Sequence, residues 1–174
     1  RRQIVWPIYM AGGNFEFHYN ASKVSYEQLD LFWDDLARAR RFMEALPFQD
    51  MSPQNSLVDR GFAFAKDNEA YAVYLPSGGA VHLDLRNGSG AFKAQWFNPR
   101  TATYQDAGDV QGQAQRSLTA PDSNDWVLQV TQALGLSKEY YVDSSVAQSG
   151  SGTVTSPLKT VQEALNRAAA GNTI

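Results

Sequence analysis

Between residues 60 and 132 the chain reads as seven short runs, RGFAFAKD, AYAVYLP, AVHLDLR, GAFKAQWFN, ATYQDAG, AQRSLTAP and DWVLQVTQ. Between them stand DNE, SGG, NGSG, PRT, DVQG and DSN, clusters of residues that turn the backbone. The runs alternate. Val81, Leu83 and Leu85 oppose His82, Asp84 and Arg86; Phe92, Ala94 and Trp96 oppose Lys93 and Gln95; Trp126, Leu128 and Val130 oppose Gln129 and Thr131. Strand side chains point to opposite faces in turn, so each run offers one apolar face. Short strands with a turn every ~8–12 residues predict an antiparallel β-sandwich. Two stacked sheets would bury those faces in a core large enough to fold on its own.

The flanks follow other rules. In YEQLDLFWDDLARARRFMEAL the apolar positions Leu29, Phe32, Trp33, Leu36, Ala39, Met43 and Leu46 recur every three or four residues. This predicts an amphipathic helix over residues 25–46, with Ser25 as N-cap, Gln28 three residues later and Pro47 as stop. Before it, Asn14, Glu16 and His18 alternate with Phe15, Phe17 and Tyr19, which predicts a strand over 14–19 after Gly12-Gly13. Beyond the sandwich, KEYYVDSSV predicts a strand and QSGSGTVTS a loop. Thr160 and Glu163 then open a helix with apolar Val161, Ala164, Leu165 and Ala168 and with Gly171 at its C′ position. Strand-like Asn172-Thr173-Ile174 ends the sequence inside an element, so the chain is expected to be an excerpt of a longer protein.

Composition narrows the chemistry. Of 174 residues 43% are hydrophobic and 19% charged, which is globular usage. A net charge of −3 gives no general pull on nucleic acid or an anionic membrane. The one basic cluster, Arg38, Arg40 and Arg41, shares its helix with Asp34, Asp35 and Glu44 and reads as a solvated face. No apolar run approaches the ~18 residues of a membrane span. The sequence has no cysteine, which removes disulfides, zinc-thiolate sites and a cysteine nucleophile. His82 and Asp84 share a strand face but lack a third metal ligand, and Asp143 beside Ser144 and Ser145 has no base at a useful spacing. No phosphate loop is present, since SGG and NGSG join strand to strand. Metal and cofactor sites are therefore not expected.

LPFQDMSP (46–53), AYAVYLPSGGAVHLDL (70–85), GAFKAQWFNPRTA (90–102) and APDSNDWVLQV (120–130) carry a resemblance. They resemble the C-terminal collagen-binding-type β-sandwich domain of apiosidase-like (β/α)8 glycoside hydrolases. Two positions depart from that pattern: Ala102 stands where the family usually has Gly, and Phe48 where it often has Trp. RRQIVWPIYMAGGNFEFHY resembles the passage from helix seven to strand eight of the same barrel, and residues 25–46 its last helix. YYVDSS and SGSGTVTSPLKTVQEALNRAAAGNTI are similar to the opening of pectate-lyase-like right-handed β-helix proteins. The resemblance implies a mainly β chain with three parts: a barrel remnant (1–46), a sandwich accessory domain (47–132) and the start of a β-helix (137–174). It implies a secreted, extracellular or periplasmic multidomain parent that degrades polysaccharide. In that parent the sandwich would be a non-catalytic accessory domain packed on the barrel through helix 25–46 and the 47–53 loop. The alternatives are the parent's own glycoside hydrolase activity, or a collagen- or matrix-binding module.

Candidate ligand residues follow. If residues 14–19 form the last barrel strand, Asn14, Glu16 and His18 approach the face where barrel active sites lie and are candidates for contact with sugar. Among the aromatics, Trp96 and Trp126 fall on inward positions. Phe97 and Tyr104 lie opposite them or beside a turn and are the surface candidates for sugar stacking. No catalytic residue is assigned, because the two carboxyls a glycosidase needs would sit on earlier strands. The expected partners are polysaccharide and the adjacent barrel and β-helix domains.

Overall fold

The computed structural model describes residues 1–16, 26–133 and 140–167. The chain divides into two compact units, Arg1–Gln132 and Ala133–Ile174. The first opens with helices α1 (Arg2–Met10) and α2 (Tyr26–Glu44). The strands follow: β1 (Ser52–Pro53), β2 (Phe62–Lys66), β3 (Ala70–Leu75), β4 (Ala80–Asp84), β5 (Ala91–Asn98), β6 (Thr103–Gln111), β7 (Gln115–Thr119) and β8 (Trp126–Gln132). One antiparallel sheet has the order β1-β2-β3-β8-β5-β6, and β4 pairs with β7 in a second. A Val58–Leu83 bridge adds a short third rung to the smaller sheet.

The predicted inward faces meet between the sheets. Val81, Leu83 and Leu85 pack with Phe92, Ala94, Trp96, Trp126, Leu128 and Val130. A second core lies on the other face of the large sheet, where Val5, Trp6 and Met10 of α1 and Ala39, Phe42 and Met43 of α2 cover Ala72, Tyr74, Phe97 and Val127. Strand β3 therefore has both faces covered, and all six of its residues are buried. Trp6 is the hub. Its ring lies 5.3 Å from Phe42, 5.8 Å from Tyr74 and 5.9 Å from Phe97.

Charge reinforces this second core. Asp125 accepts from Arg2 Nε at 2.7 Å, from Arg100 Nη1 at 2.9 Å and from the Tyr74 hydroxyl at 3.4 Å. Burial, then the Asp125 carboxylate, pushes the Tyr74 phenol well above its ordinary value. Asp35 pairs with Arg1 and Arg38 at 3.0 and 3.2 Å and is only 2% exposed. The reading of that helix stretch as a solvated charged face holds for Arg40 with Glu44, not for Asp35. Ile4, Leu31 and Trp33 remain exposed on the helices.

Three further expectations change. Asn14, Phe15 and Glu16 are not in a strand, and residues 17–25, including His18 and the Ser25 cap, lie outside the described residues. The DVQG stretch does not turn where expected, because β6 runs on to Gln111. The bulge lies earlier: Ala94 pairs with Gly108 and Gln95 with Asp106, so Ala107 is the extra residue, and Gly108 adopts φ +82°. Ala102, the residue standing where the resembled family has Gly, takes φ +59°, a conformation that costs an L-residue about 1–2 kcal/mol.

In the second unit, helix α3 (Val161–Arg167) carries the predicted capping box. Glu163 N donates to Thr160 Oγ1 at 3.2 Å, and Thr160 N donates to Glu163 Oε2 at 3.1 Å. Ser149 Oγ donates to the same carboxylate at 2.6 Å. Tyr140, Leu158 and Ala164 form a small core. Over residues 140–146 the expected strand is reduced to one parallel bridge, Val142–Leu158. The Gly171 cap and the terminal strand lie outside the described residues.

Candidate functional site

Helix α1 ends in a Schellman motif. Gly12, at φ +73°, donates to Tyr9 O at 2.9 Å, and Gly13 N donates to Ile8 O at 2.8 Å. A Cβ at Gly13 would lie 2.9 Å from Ile8 Cγ2 and 3.1 Å from its carbonyl oxygen, so the turn is closed to larger residues. This turn sets Asn14 on the wall of a cleft of about 680 Å3. Tyr9 of α1 and Arg40, Met43 and Glu44 of α2 make up one side. Phe48, Gln49 and Met51 of the linking loop, Ser52 and Pro53 of β1 and Phe64 of β2 make up the other. The volume falls in the range of small-molecule clefts, and aromatic and apolar groups share the lining with Asn14, Arg40, Glu44, Gln49 and Ser52.

Local sequence places these groups. Pro47 ends the helical pattern, and the single turn Phe48–Asp50 then leaves the Phe48 ring 39% exposed at the cleft. Met51 is buried in the second core and anchors the loop. Ser52 and Pro53 pair with Ala65 and Phe64. At the rim Arg40 Nε donates to Glu44 Oε1 at 2.6 Å, one helical turn apart. That hydrogen bond raises the Arg40 pKa, so the guanidinium stays charged and paired. Burial raises the Tyr9 phenol, which keeps it a neutral hydroxyl at ordinary pH.

The sequence candidates are scattered. Asn14 lines the cleft. Glu16 is exposed and absent from its lining, and His18 lies outside the described residues. Phe97 is not at the surface; it is 3% exposed because α1 and α2 cover the face it points to. Tyr104 is 45% exposed on edge strand β6, its ring centroid 5.0 Å from that of Phe97. Tyr9, Arg40, Glu44 and Phe48 were missed as a group, although the Phe48 departure and the Arg40–Glu44 spacing were both visible.

The other polar constellations are structural. His82 Nδ1 lies 2.7 Å from Asp59 Oδ2 rather than pairing with Asp84, which instead binds Arg86. Hydrogen bonds from His82 hold the Asp59 carboxyl below its usual range. Asp143 accepts from Ser145 N and Oγ in a local turn. Among the described residues, no three His, Asp or Glu side chains come together to hold a metal.

Residues 47–131 match the family described as "Putative collagen-binding domain of a collagenase". That range holds all of β1 to β7 and β8 to its penultimate residue. Two solved structures share the fold. A chain titled "Glycoside hydrolase" matches 57% of this chain at 20% identity and a TM-score of 0.52. A glycoside hydrolase family 5 protein from Bacteroides vulgatus ATCC 8482 matches 70% at 22% identity and a TM-score of 0.56. The chain spans 25% and 29% of the length of those two proteins. No curated protein matches it. The sandwich region is thus similar to the family so described, and the fold of the chain is similar to part of two glycoside hydrolases.

Proposed function

We propose that this chain is a non-catalytic accessory domain of a secreted, polysaccharide-degrading glycoside hydrolase, and that it contacts carbohydrate. The observation that carries this reading is the double use of the large sheet. One face closes a sandwich of the matched family, and the other is packed against two helices through a continuous core around Trp6. A domain built this way is a rigid mount. The exposed Ile4, Leu31 and Trp33 on the helices favour packing against a preceding catalytic domain. The fold shared with glycoside hydrolases supports reading residues 1–46 as the last part of such a domain. In the same reading residues 137–174 open a parallel β-helix, an expectation that starts from the resemblance carried by YYVDSS and SGSGTVTSPLKTVQEALNRAAAGNTI.

The test uses the purified chain. No turnover of aryl glycosides above buffer is expected, together with retention on insoluble plant polysaccharide. Turnover above background would overturn the accessory role. Retention on collagen fibrils but not on polysaccharide would replace carbohydrate contact with the matrix-binding alternative that the matched family's description favours.

A further inference from the structure

We propose that the cleft between the ends of α1 and α2 and the 48–53 loop is a binding site for a neutral oligosaccharide, with Phe48 as its stacking platform. The proposal rests on the carbohydrate-contacting reading above and gives it a place and a ligand class.

Two observations lead to it. The first is shape and surface. The cleft encloses about 680 Å3, with the half-exposed Phe48 ring and the Tyr9 ring on its lining. The C–H face of a pyranose carries a small positive potential and the face of an aromatic ring a negative one, so the two pack flat against each other. Asn14, Gln49 and Tyr9, all on the lining, carry uncharged donors and acceptors, as sugar hydroxyls require.

The second is charge. Among the described lining residues Arg40 is the one cation and Glu44 the one anion, and they pair with each other at 2.6 Å. The pair is net neutral, so a uronate finds no net positive charge there, and whichever Arg40 N–H it reaches, the Glu44 carboxylate stands beside it. A neutral sugar can accept from the guanidinium and donate to the carboxylate at once, leaving the pair intact. The cleft therefore gives an acidic glycan no charge advantage over a neutral one.

Isothermal titration of the whole chain tests this with cello- and xylo-oligosaccharides against oligogalacturonides of equal length. Binding of a neutral probe is expected, with little dependence on salt. Phe48→Ala should weaken it about tenfold and Phe48→Trp should restore it, while Arg86→Ala, at an exposed position just past β4 in the smaller sheet, leaves it unchanged. Near-ultraviolet circular dichroism confirms that each variant is folded. Preference for the oligogalacturonide overturns the charge argument. Neutral binding that Phe48→Ala leaves intact overturns the site but spares the broader function. Binding of no saccharide at all overturns both.

Discussion

Replacing Trp6 by alanine tests whether the helices and the sandwich are one cooperative body. Trp6 has no exposed surface, and its ring meets Phe42, Tyr74 and Phe97 at 5.3, 5.8 and 5.9 Å. Removing a buried tryptophan side chain costs about 3–5 kcal/mol, because the cavity left behind collapses only in part. A domain of this size has roughly 5–15 kcal/mol in total, so the loss is a large share. At roughly 2–4 °C per kcal/mol the transition should fall by about 10 °C. Urea or heat unfolding should be followed by two probes. Far-ultraviolet circular dichroism reports mostly α1 and α2, and in a Trp33→Phe background, which removes the tryptophan of α2, the emission of Trp96 and Trp126 reports the sandwich. All tryptophans lie in the first unit, so the second unit does not contribute to that emission. The expected result is one transition, displaced equally by both probes. An early helical transition with the Trp96 and Trp126 signal unmoved would refute the shared core.

Other substitutions have separate readouts. Asp125→Ala removes the buried carboxylate that Arg2, Arg100 and Tyr74 share and should cost about 2–3 kcal/mol in urea denaturation followed by tryptophan emission, since both arginines are part-exposed and keep Asp35 and Asp122 within 3.9 Å. Gly61→Ala should cost about 2–4 kcal/mol in the same assay. Its φ is +82°, and an added Cβ would sit 2.5 Å from the Tyr74 carbonyl oxygen. In the second unit, the hydrogen bond from Ser149, and then those from Thr160, hold the Glu163 carboxyl below its usual range. A depressed folded-state pKa gives stability that is present above the unfolded value of about 4.3 and is lost as pH falls through the folded one. Amide protection at residues 160–164, measured relative to the intrinsic exchange rate at each pH, should therefore fall on acidification below that range, and Glu163→Gln should remove most of the change.

The sandwich was legible because its information is local. A period of two and clusters of Gly, Asn, Asp and Pro mark each strand without reference to the rest of the chain, and Thr160 with Glu163 marks a helix start in the same way. What lies outside a strand's own pattern was not legible. Phe97 points away from Trp96, and alternation alone then assigns it to solvent. Only the arrival of Trp6 and Phe42 from other elements buries it. A hint was present in AYAVYL, whose apolar run lacks the polar alternation of its neighbours, as a strand covered on both faces should. DVQG misled for the opposite reason. Its Asp and Gly have turn chemistry, but the strand's irregularity is taken up by the bulge at Ala107 before that point is reached.

The cleft shows the same limit more sharply. Tyr9, Asn14, Arg40, Phe48 and Phe64 come from two helix ends, a turn, a loop and a strand, and no spacing rule links them. They are neighbours because the second core fixes α1 and α2 on the large sheet, and because Gly12 and Gly13 turn the chain at one fixed point. The position and composition of the cleft therefore depend on the packing around Trp6. A change that loosens that core, far from any ligand contact, should weaken saccharide binding as well as stability. A change confined to Phe48 should weaken binding alone. Comparing the Trp6→Ala and Phe48→Ala proteins in both assays separates the role of the scaffold from the role of the site it builds.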